Sequence, residues 1–298
     1  MGPVSDHDVN LVCDHFIFCK KNLECWKPSI HRCRNLMVRY LRLYLYFLRF
    51  SLTKALQFRL DFSFRIIMDF IFYAVNILFF KIIYLHTPML AGLSEEQMMI
   101  FIASYLFLDS LIMTFFANNI WLLPFYINKG DLDYYLVRPV SSLFFLSLRD
   151  IAANSVINMI AAFSILLWSF SKYTGTFTLG QIILYGLFLL NGLGLYYLVR
   201  MMFVIPVFWT HTSRGLDELF WGIEQCMQRP VDMFRGQFKR LLSTIIPLGV
   251  IVSYPVKMLF TDSPSALMIH MALVTVIFGF IFSRCWKWGL KNYSSASS

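Results

Sequence analysis

The sequence predicts an all-α polytopic membrane protein, and three observations predict it. Of its 298 residues 58% are hydrophobic, 18% are aromatic and only 14% are charged, whereas a soluble domain carries roughly 25% charged residues. Mean hydropathy is +0.62. The apolar residues form blocks of about 20 or more, long enough to cross the roughly 30 Å hydrocarbon layer as helices. Lipid offers no partner to a backbone amide, so such blocks must be helical.

Elements follow in chain order. Residues 1–36 are polar and contain Cys13, Cys19, Cys25 and Cys33, unlike a basic start followed by a short apolar core, so no cleavable signal is expected. Eleven of the 26 Lys and Arg precede residue 66. No nucleic-acid motif lies among them, and they read as a cytoplasmic, membrane-facing N-terminus. His15 and His31 join the cysteines there, but the spacing lacks the paired pattern of a closed zinc site, so no metal is expected and reduced thiols are the default. Cys226 and Cys285 lie near later spans.

From Met37 to Leu60 aromatic and aliphatic residues alternate with Arg39, Arg42, Arg49 and Lys54, which at 100° per residue fall within an arc of roughly 140°. That is an amphipathic helix lying in the membrane interface. Apolar stretches then occupy about 63–85, 97–127, 143–169, 179–209 and 264–284. The loop "HTPMLAGLSEEQ" has no Lys or Arg and the one at 170–178 has only Lys172, while 128–149 holds Lys129, Arg138 and Arg149. The first two are therefore outside and the third inside.

Between Thr210 and Pro264 two topologies fit. In one, the polar "SRGLDELFWGIEQCMQRPVDMF" is a cytoplasmic loop and the stretch holding Pro247 and Pro255 is the fifth span. In the other, the polar piece is a short, lipid-shielded fifth span, and the proline-broken piece dips in from outside as a re-entrant hairpin covered by protein. Arg229, Arg235, Lys239 and Arg240 favour the first. Both return the C-terminus to the cytoplasm.

Read in order, "GDLDYYLVRPVSSLF", "FWT" at 208–210, "RPVDMF" and "FKRLLSTIIPLGVIVSYPV", then "WGLKNYSSAS", the chain resembles bacterial ATP-binding-cassette permeases of the type-2 exporter family. The resemblance covers 37–298. Residues 1–36 have no counterpart and are a cytoplasmic extension: disordered, an accessory head, or an overextended gene start. The family carries a "G-[ED]-[LI]-D-x-L-L-x-[RK]-P" segment after its second span, which Gly130 to Pro139 match with Tyr134 and Tyr135 as the main variation. It also has a proline-rich bent outer segment, similar to Arg229–Phe234 and Pro247–Pro255. The resemblance therefore favours six spans, with the short fifth span and an outer hairpin before the last.

On that basis Gly130, Asp131, Leu132, Asp133, Tyr134, Tyr135, Leu136, Arg138 and Pro139 form a coupling helix that docks on an ATPase subunit. Gly130 can end the preceding helix, Asp131 or Asp133 can cap the new one, and Pro139 limits its length. Pro230, Pro247, Tyr254 and Pro255 form an outer gate. No G-x-x-x-x-G-K-[ST] loop occurs, so ATP and Mg belong on the partner and no cofactor is expected in this chain. Neither H-E-x-x-H nor G-x-S-x-G is present, which argues against an enzyme.

Charges inside apolar runs are functional suspects. Asp69, Asp109, Arg200, Asp217, Glu218 and Glu224 belong to different spans, with no chain of groups to relay protons. Asp69 can pair with Arg65, and structural pairing is the reading for Asp69 and Arg200. Asn118, Asn119, Asn158 and Asn191 either line a translocation path or bridge helices, and Asn118, Asn119, Asn158 and Arg200 are the candidates for the path.

The sequence thus reads as a multi-pass permease of the bacterial inner membrane with both termini cytoplasmic. Its expected partners are ATP-binding cassette subunits, a second permease as homodimer or heterodimer, and membrane lipids. An aromatic, apolar interior suits lipids or amphipathic compounds. The rival is a secondary transporter or channel needing no ATPase, which would show repeated halves or an intramembrane ion site; neither is visible in the sequence.

Overall fold

The computed structural model describes residues 43–51, 53, 59–137, 141–261 and 263–293. The chain divides into two units, Met1–Leu43 and Tyr44–Ser298, and the elements below belong to the second. Residues 1–36, the four cysteines there, Arg39, Arg42, Lys54, Arg138 and Pro139 lie outside the described residues. Of the expected interfacial helix, 43–51 are helical, and Leu45, Tyr46 and Phe50 are exposed.

The twelve helices from residue 59 onward are α1 (Arg59–Tyr84), α2 (Glu95–Ile112), α3 (Asn118–Lys129), α4 (Asp133–Leu136), α5 (Ser142–Leu148), α6 (Ala153–Lys172), α7 (Leu179–Val204), α8 (Val207–Thr210), α9 (Arg214–Glu224), α10 (Gly236–Arg240), α11 (Val250–Phe260) and α12 (Ser265–Asn292). No named strand occurs among the described residues. Among the described residues five helical segments are long and apolar enough to span a membrane: Phe62–Tyr84, Glu95–Lys129, Ala153–Lys172, Leu179–Thr210 and Ser265–Asn292.

The second of these is α2 and α3 joined through a π-helical turn, Met113–Ala117. α2 is the central helix, packing on α6, on α11 and on α1, while α7 packs on α11 and α12. α1 and α12 bury least of their surface, leaving apolar faces such as Ile67, Ile71 and Leu78 for lipid or a second copy.

Contacts between loops fix the two ends of the bundle. At one end α2 and α7 start with the same device. Ser94 Oγ accepts from the Gln97 amide while Gln97 Oε1 accepts from the Ser94 amide, and Thr178 and Gln181 repeat the pair. Such boxes satisfy two orphan donors at a helix start. Glu96 Oε2 ties this end together by accepting from the Thr174 amide and hydroxyl, at 3.1 and 3.0 Å. At the other end Asn128 Nδ2 donates to the His211 carbonyl at 3.0 Å, and the rings of Trp209 and Trp288 lie 4.5 Å apart.

The expected span at 143–169 is broken. α5 stops at Leu148 and α6 starts at Ala153. The break keeps its backbone groups paired: Asn119 Nδ2 donates to the Asp150 carbonyl (2.8 Å) while the Asp150 amide donates to Asn119 Oδ1 (2.9 Å). The Ile151 amide donates to Ser51 Oγ, and the Ala152 amide to the Thr114 carbonyl. In a membrane protein such bonds are what permit irregular backbone.

One further apolar pair, 236–245 and 250–260, meets at a bend of 98° and is a broken span or a re-entrant loop. α9 starts at the Asn128 end, bonded to α7 through Arg200 Nη2 and Asp217 Oδ1 at 2.7 Å. Its 11 residues reach about 16 Å, half the hydrocarbon layer. The last residue of α11, Phe260, packs near Tyr173 and Phe177 at the Glu96 end.

Candidate functional site

The segment from Gly130 to Val137 sits at the Asn128 end of the bundle. Gly130 takes φ of 80°, a left-handed conformation that suits glycine, and closes α3 with its amide on the Ile127 carbonyl. α4 then begins after Leu132, and no side chain caps it. The expectation that Asp131 or Asp133 caps the helix is therefore corrected. Leu132 occupies the capping position because its side chain is fully buried, and Asp133 instead stands in the first turn, where its charge still suits the helix dipole.

Tyr135 points into the bundle, its ring 5.3 Å from both Tyr126 of α3 and Phe145 of α5, and it accepts a hydrogen bond from Arg149. Tyr134, Leu136 and Val137 are exposed, at 68%, 39% and 83%. One face of α4 is thus clamped to two helices while the other presents apolar groups.

At the bend, Pro247 lies in the break between the two arms. Pro230 precedes a short turn, Val231–Met233, whose first amide donates to Ser253 Oγ at 3.0 Å. Gly249 is closely surrounded, since a Cβ there would stand 2.9 Å from Val231 Cγ2 and 3.1 Å from the Leu242 carbonyl oxygen. Tyr254 faces His270 of α12 with ring centres 5.5 Å apart, and Pro255 is buried within α11.

Asp232 carries the charge of this region, accepting from Lys239 Nζ (2.8 Å) and from Lys257 Nζ. Burial pushes its carboxyl up, but the hydrogen bonds and charges of the two lysines outweigh that and hold it below the usual carboxylate range.

Two cavities open between the helices. The first, about 450 Å³, is lined by Asp69, Asp109, Glu224, Asn158 and Gln228 among aromatic walls that include Tyr73, Tyr105, Trp121 and Trp221. The second, about 470 Å³, is lined by Arg65, Asn118, Asp150 and Asn154, and shares Met113 and Trp121 with the first. Met113 opens the π-helical turn, so the irregularity of the second span sits where the cavities meet. Such turns are frequent at functional sites. Among the described residues no group of three His, Cys, Asp or Glu is placed to hold a metal ion.

A family model described as "ABC-2 family transporter protein" matches residues 70–297. The chain belongs to the ABC-2 transporter family. No curated protein and no solved structure matches it. An ABC-2 protein is the multi-pass membrane permease of an ATP-binding-cassette transporter and associates with a cassette ATPase. The match begins within α1 and includes α2 to α12.

Within this ABC-2 protein the sequence-derived path residues separate. Asn158 lines the first cavity and Asn118 the second. Asn119 spends its amide on the 150 backbone, and Arg200 is buried on Asp217 with its guanidinium 4.6 Å from the Phe220 ring, so both brace the bundle. Asn191 bridges helices by accepting from Thr275.

The intramembrane carboxylates lie on different helices, as the sequence suggests, but three of them share a lining. Asp69 of α1, Asp109 of α2 and Glu224 of α9 converge on one cavity, 40 and 115 residues apart in sequence. Asp69 accepts from Asn158 Nδ2, and Glu224 from the Tyr196 hydroxyl. The available signal was that Asp109 has no basic residue one turn away. Val137 was the other omission, and its 83% exposure beside a charged stretch could be read only from the fold.

Proposed function

We propose that this ABC-2 protein is the permease subunit of an exporter, moving a lipid or amphipathic compound across the bacterial inner membrane with ATP and Mg held by separate ATPase subunits. The observation that carries the proposal is the two-faced α4. Tyr134, Leu136 and Val137 offer an exposed apolar surface, while Tyr135 is wedged between α3 and α5. Aromatic and apolar anchors of this kind carry most of the energy of an interface. Closure of the ATPase pair would push on 130–139 and tilt the spans against a second permease copy, identical or different.

In this arrangement both termini are cytoplasmic. The 98° bend at 236–260 is the re-entrant outer hairpin, and Pro230, Pro247, Tyr254 and Pro255 form the gate. Support comes from the two prolines, each of which removes a backbone donor in one apolar stretch, and from the protein contacts that cover the bend. The carboxylate cavity is the one feature a secondary transporter would share, and dependence on an ATPase separates the two.

The test is to purify the full-length chain from its native membrane and identify any cassette ATPase retained with it. Tyr134→Ala with Leu136→Ala should abolish retention, at roughly 1 to 3 kcal/mol lost per anchor, without impairing membrane insertion. Full retention and full ATP hydrolysis by the double variant would remove the docking assignment.

A further inference from the structure

Of the carboxylates inside the bundle, Asp69 has Arg65 and Glu224 has Arg200 within electrostatic reach, but Asp109 has only the other two carboxylates. Asp69, Asp109 and Glu224 line one cavity of about 450 Å³, and no Lys, Arg or His lines it with them. Arg200 on α7 is bonded to Asp217 through Nη2 and reaches Glu224 only electrostatically, from outside the lining of the cavity. Asp69 and Glu224 each receive one neutral hydrogen bond, from Asn158 and Tyr196. Asp109 receives none among the described residues, and Asp69 and Glu224 both lie within electrostatic reach of it. Several carboxylates facing each other away from bulk water are costly unless positive charge joins them.

An independent observation points the same way. Asn158 lines this cavity and is only 1% exposed, yet its Oδ1 has no hydrogen-bond partner, although Nδ2 donates to Asp69. Buried amide oxygens are normally satisfied. The unmet demand here is therefore for donors and positive charge together.

The walls define what kind of cation fits. Tyr73, Tyr105, Trp121 and Trp221 surround the carboxylates, and aromatic faces attract cations that have shed their water. Among the described residues no three ligands are placed for a metal ion, and the volume lies in the range of roughly 300 to 1,000 Å³ found for small-molecule sites. The second cavity adjoins the first across Met113 and Trp121 and reaches the 150–154 segment, which gives a way in from the end of the bundle where α4 sits.

We propose that the Asp69, Asp109 and Glu224 cavity binds a lipophilic organic cation, held by the carboxylates and the tryptophan and tyrosine faces. This names the substrate class of the transporter and so rests on the permease reading. The assay, however, requires neither ATPase nor nucleotide, so its failure would leave ATPase association standing, and loss of that association would leave the binding intact.

The test uses the full-length chain in nanodiscs of zwitterionic lipid, with empty discs subtracted, and two probes of one shape and opposite charge, tetraphenylphosphonium and tetraphenylborate. Saturable binding of the phosphonium alone is expected. Asp109→Asn and Glu224→Gln should each weaken it about tenfold or more, as loss of a close charge partner at low dielectric requires. Gln228→Glu, which adds a carboxylate to the same lining, should tighten it, a gain that misfolding cannot mimic. The proposal is overturned by absence of saturable phosphonium binding, by equal binding of both probes, or by folded variants that bind as the parent does.

Discussion

Gly192 lets α7 come close to α11, and a substitution there has an internal control in the same helix. A Cβ built there would lie 2.6 Å from the Ile251 carbonyl oxygen in the first turn of α11. Ordinary contact begins near 3.4 Å, so Gly192→Ala forces α7 and α11 apart by some 0.8 Å. Overpacking of this kind costs roughly 1 to 3 kcal/mol, while alanine returns up to about 1 kcal/mol through its helix propensity. The net effect is a loss of up to about 2 kcal/mol.

Gly194, two residues on in the same helix, is exposed and has nothing within 4 Å of its built Cβ. Gly194→Ala should keep only the propensity gain. Thermal unfolding in nanodiscs, followed by tryptophan fluorescence, should therefore lower the midpoint for the first variant and hold or raise it for the second, at about 2 to 4 °C per kcal/mol. Equal midpoints, or a higher one for Gly192→Ala, would refute the α7–α11 packing and with it the placement of Tyr254 and Pro255.

Two further predictions concern the bend. A single cysteine at Gln237, with the native cysteines replaced, should react with an impermeant reagent added outside intact cells; reaction only after the cytoplasmic face is opened would make 241–260 a fifth span and end the gate assignment. Asp232 is held below its ordinary range by Lys239 and Lys257, so its contribution is complete above the unfolded value near 3.9 and is lost as pH falls through the folded one. Labelling at Gln237, divided at each pH by that of the denatured protein to cancel the change in thiolate fraction, should be constant between about 5 and 8 and should rise below about 4, while Asp232→Asn should show the faster labelling at neutral pH; equally slow labelling of both proteins at neutral pH would refute the anchoring role of the two lysines.

Long apolar blocks were legible because lipid imposes one solution on them. The stretches at 63–85, 97–127, 179–209 and 264–284 correspond to Arg59–Tyr84, Glu95–Lys129, Leu179–Thr210 and Ser265–Asn292. The break at 149–152 was hidden because apolar residues continue on both sides of Arg149 and Asp150, and its cause is tertiary: Asn119, Thr114 and Ser51 bond that backbone from other elements. The helix ending at Gly130 was readable from a residue type that the left-handed conformation requires. Convergence of Asp69, Asp109 and Glu224 was not, since periodicity says which side of its own helix a carboxylate occupies but not which helix stands opposite.

The aromatic clamp on α4 has a mechanical consequence. Tyr126, which Tyr135 grips, and Trp121, which forms the wall between the two cavities, belong to the same helix, α3. Five residues of helix separate them, about 8 Å of rise, and the only weak point between is Pro124, which lacks the amide that would bond the Ile120 carbonyl. A thrust delivered to α4 therefore has almost no slack in which to dissipate. If the proposed ATPase docks on α4, its push would move the Trp121 partition between the two cavities like a latch at the short end of a lever, so that the stroke of a motor outside the membrane would become the opening of a door within it.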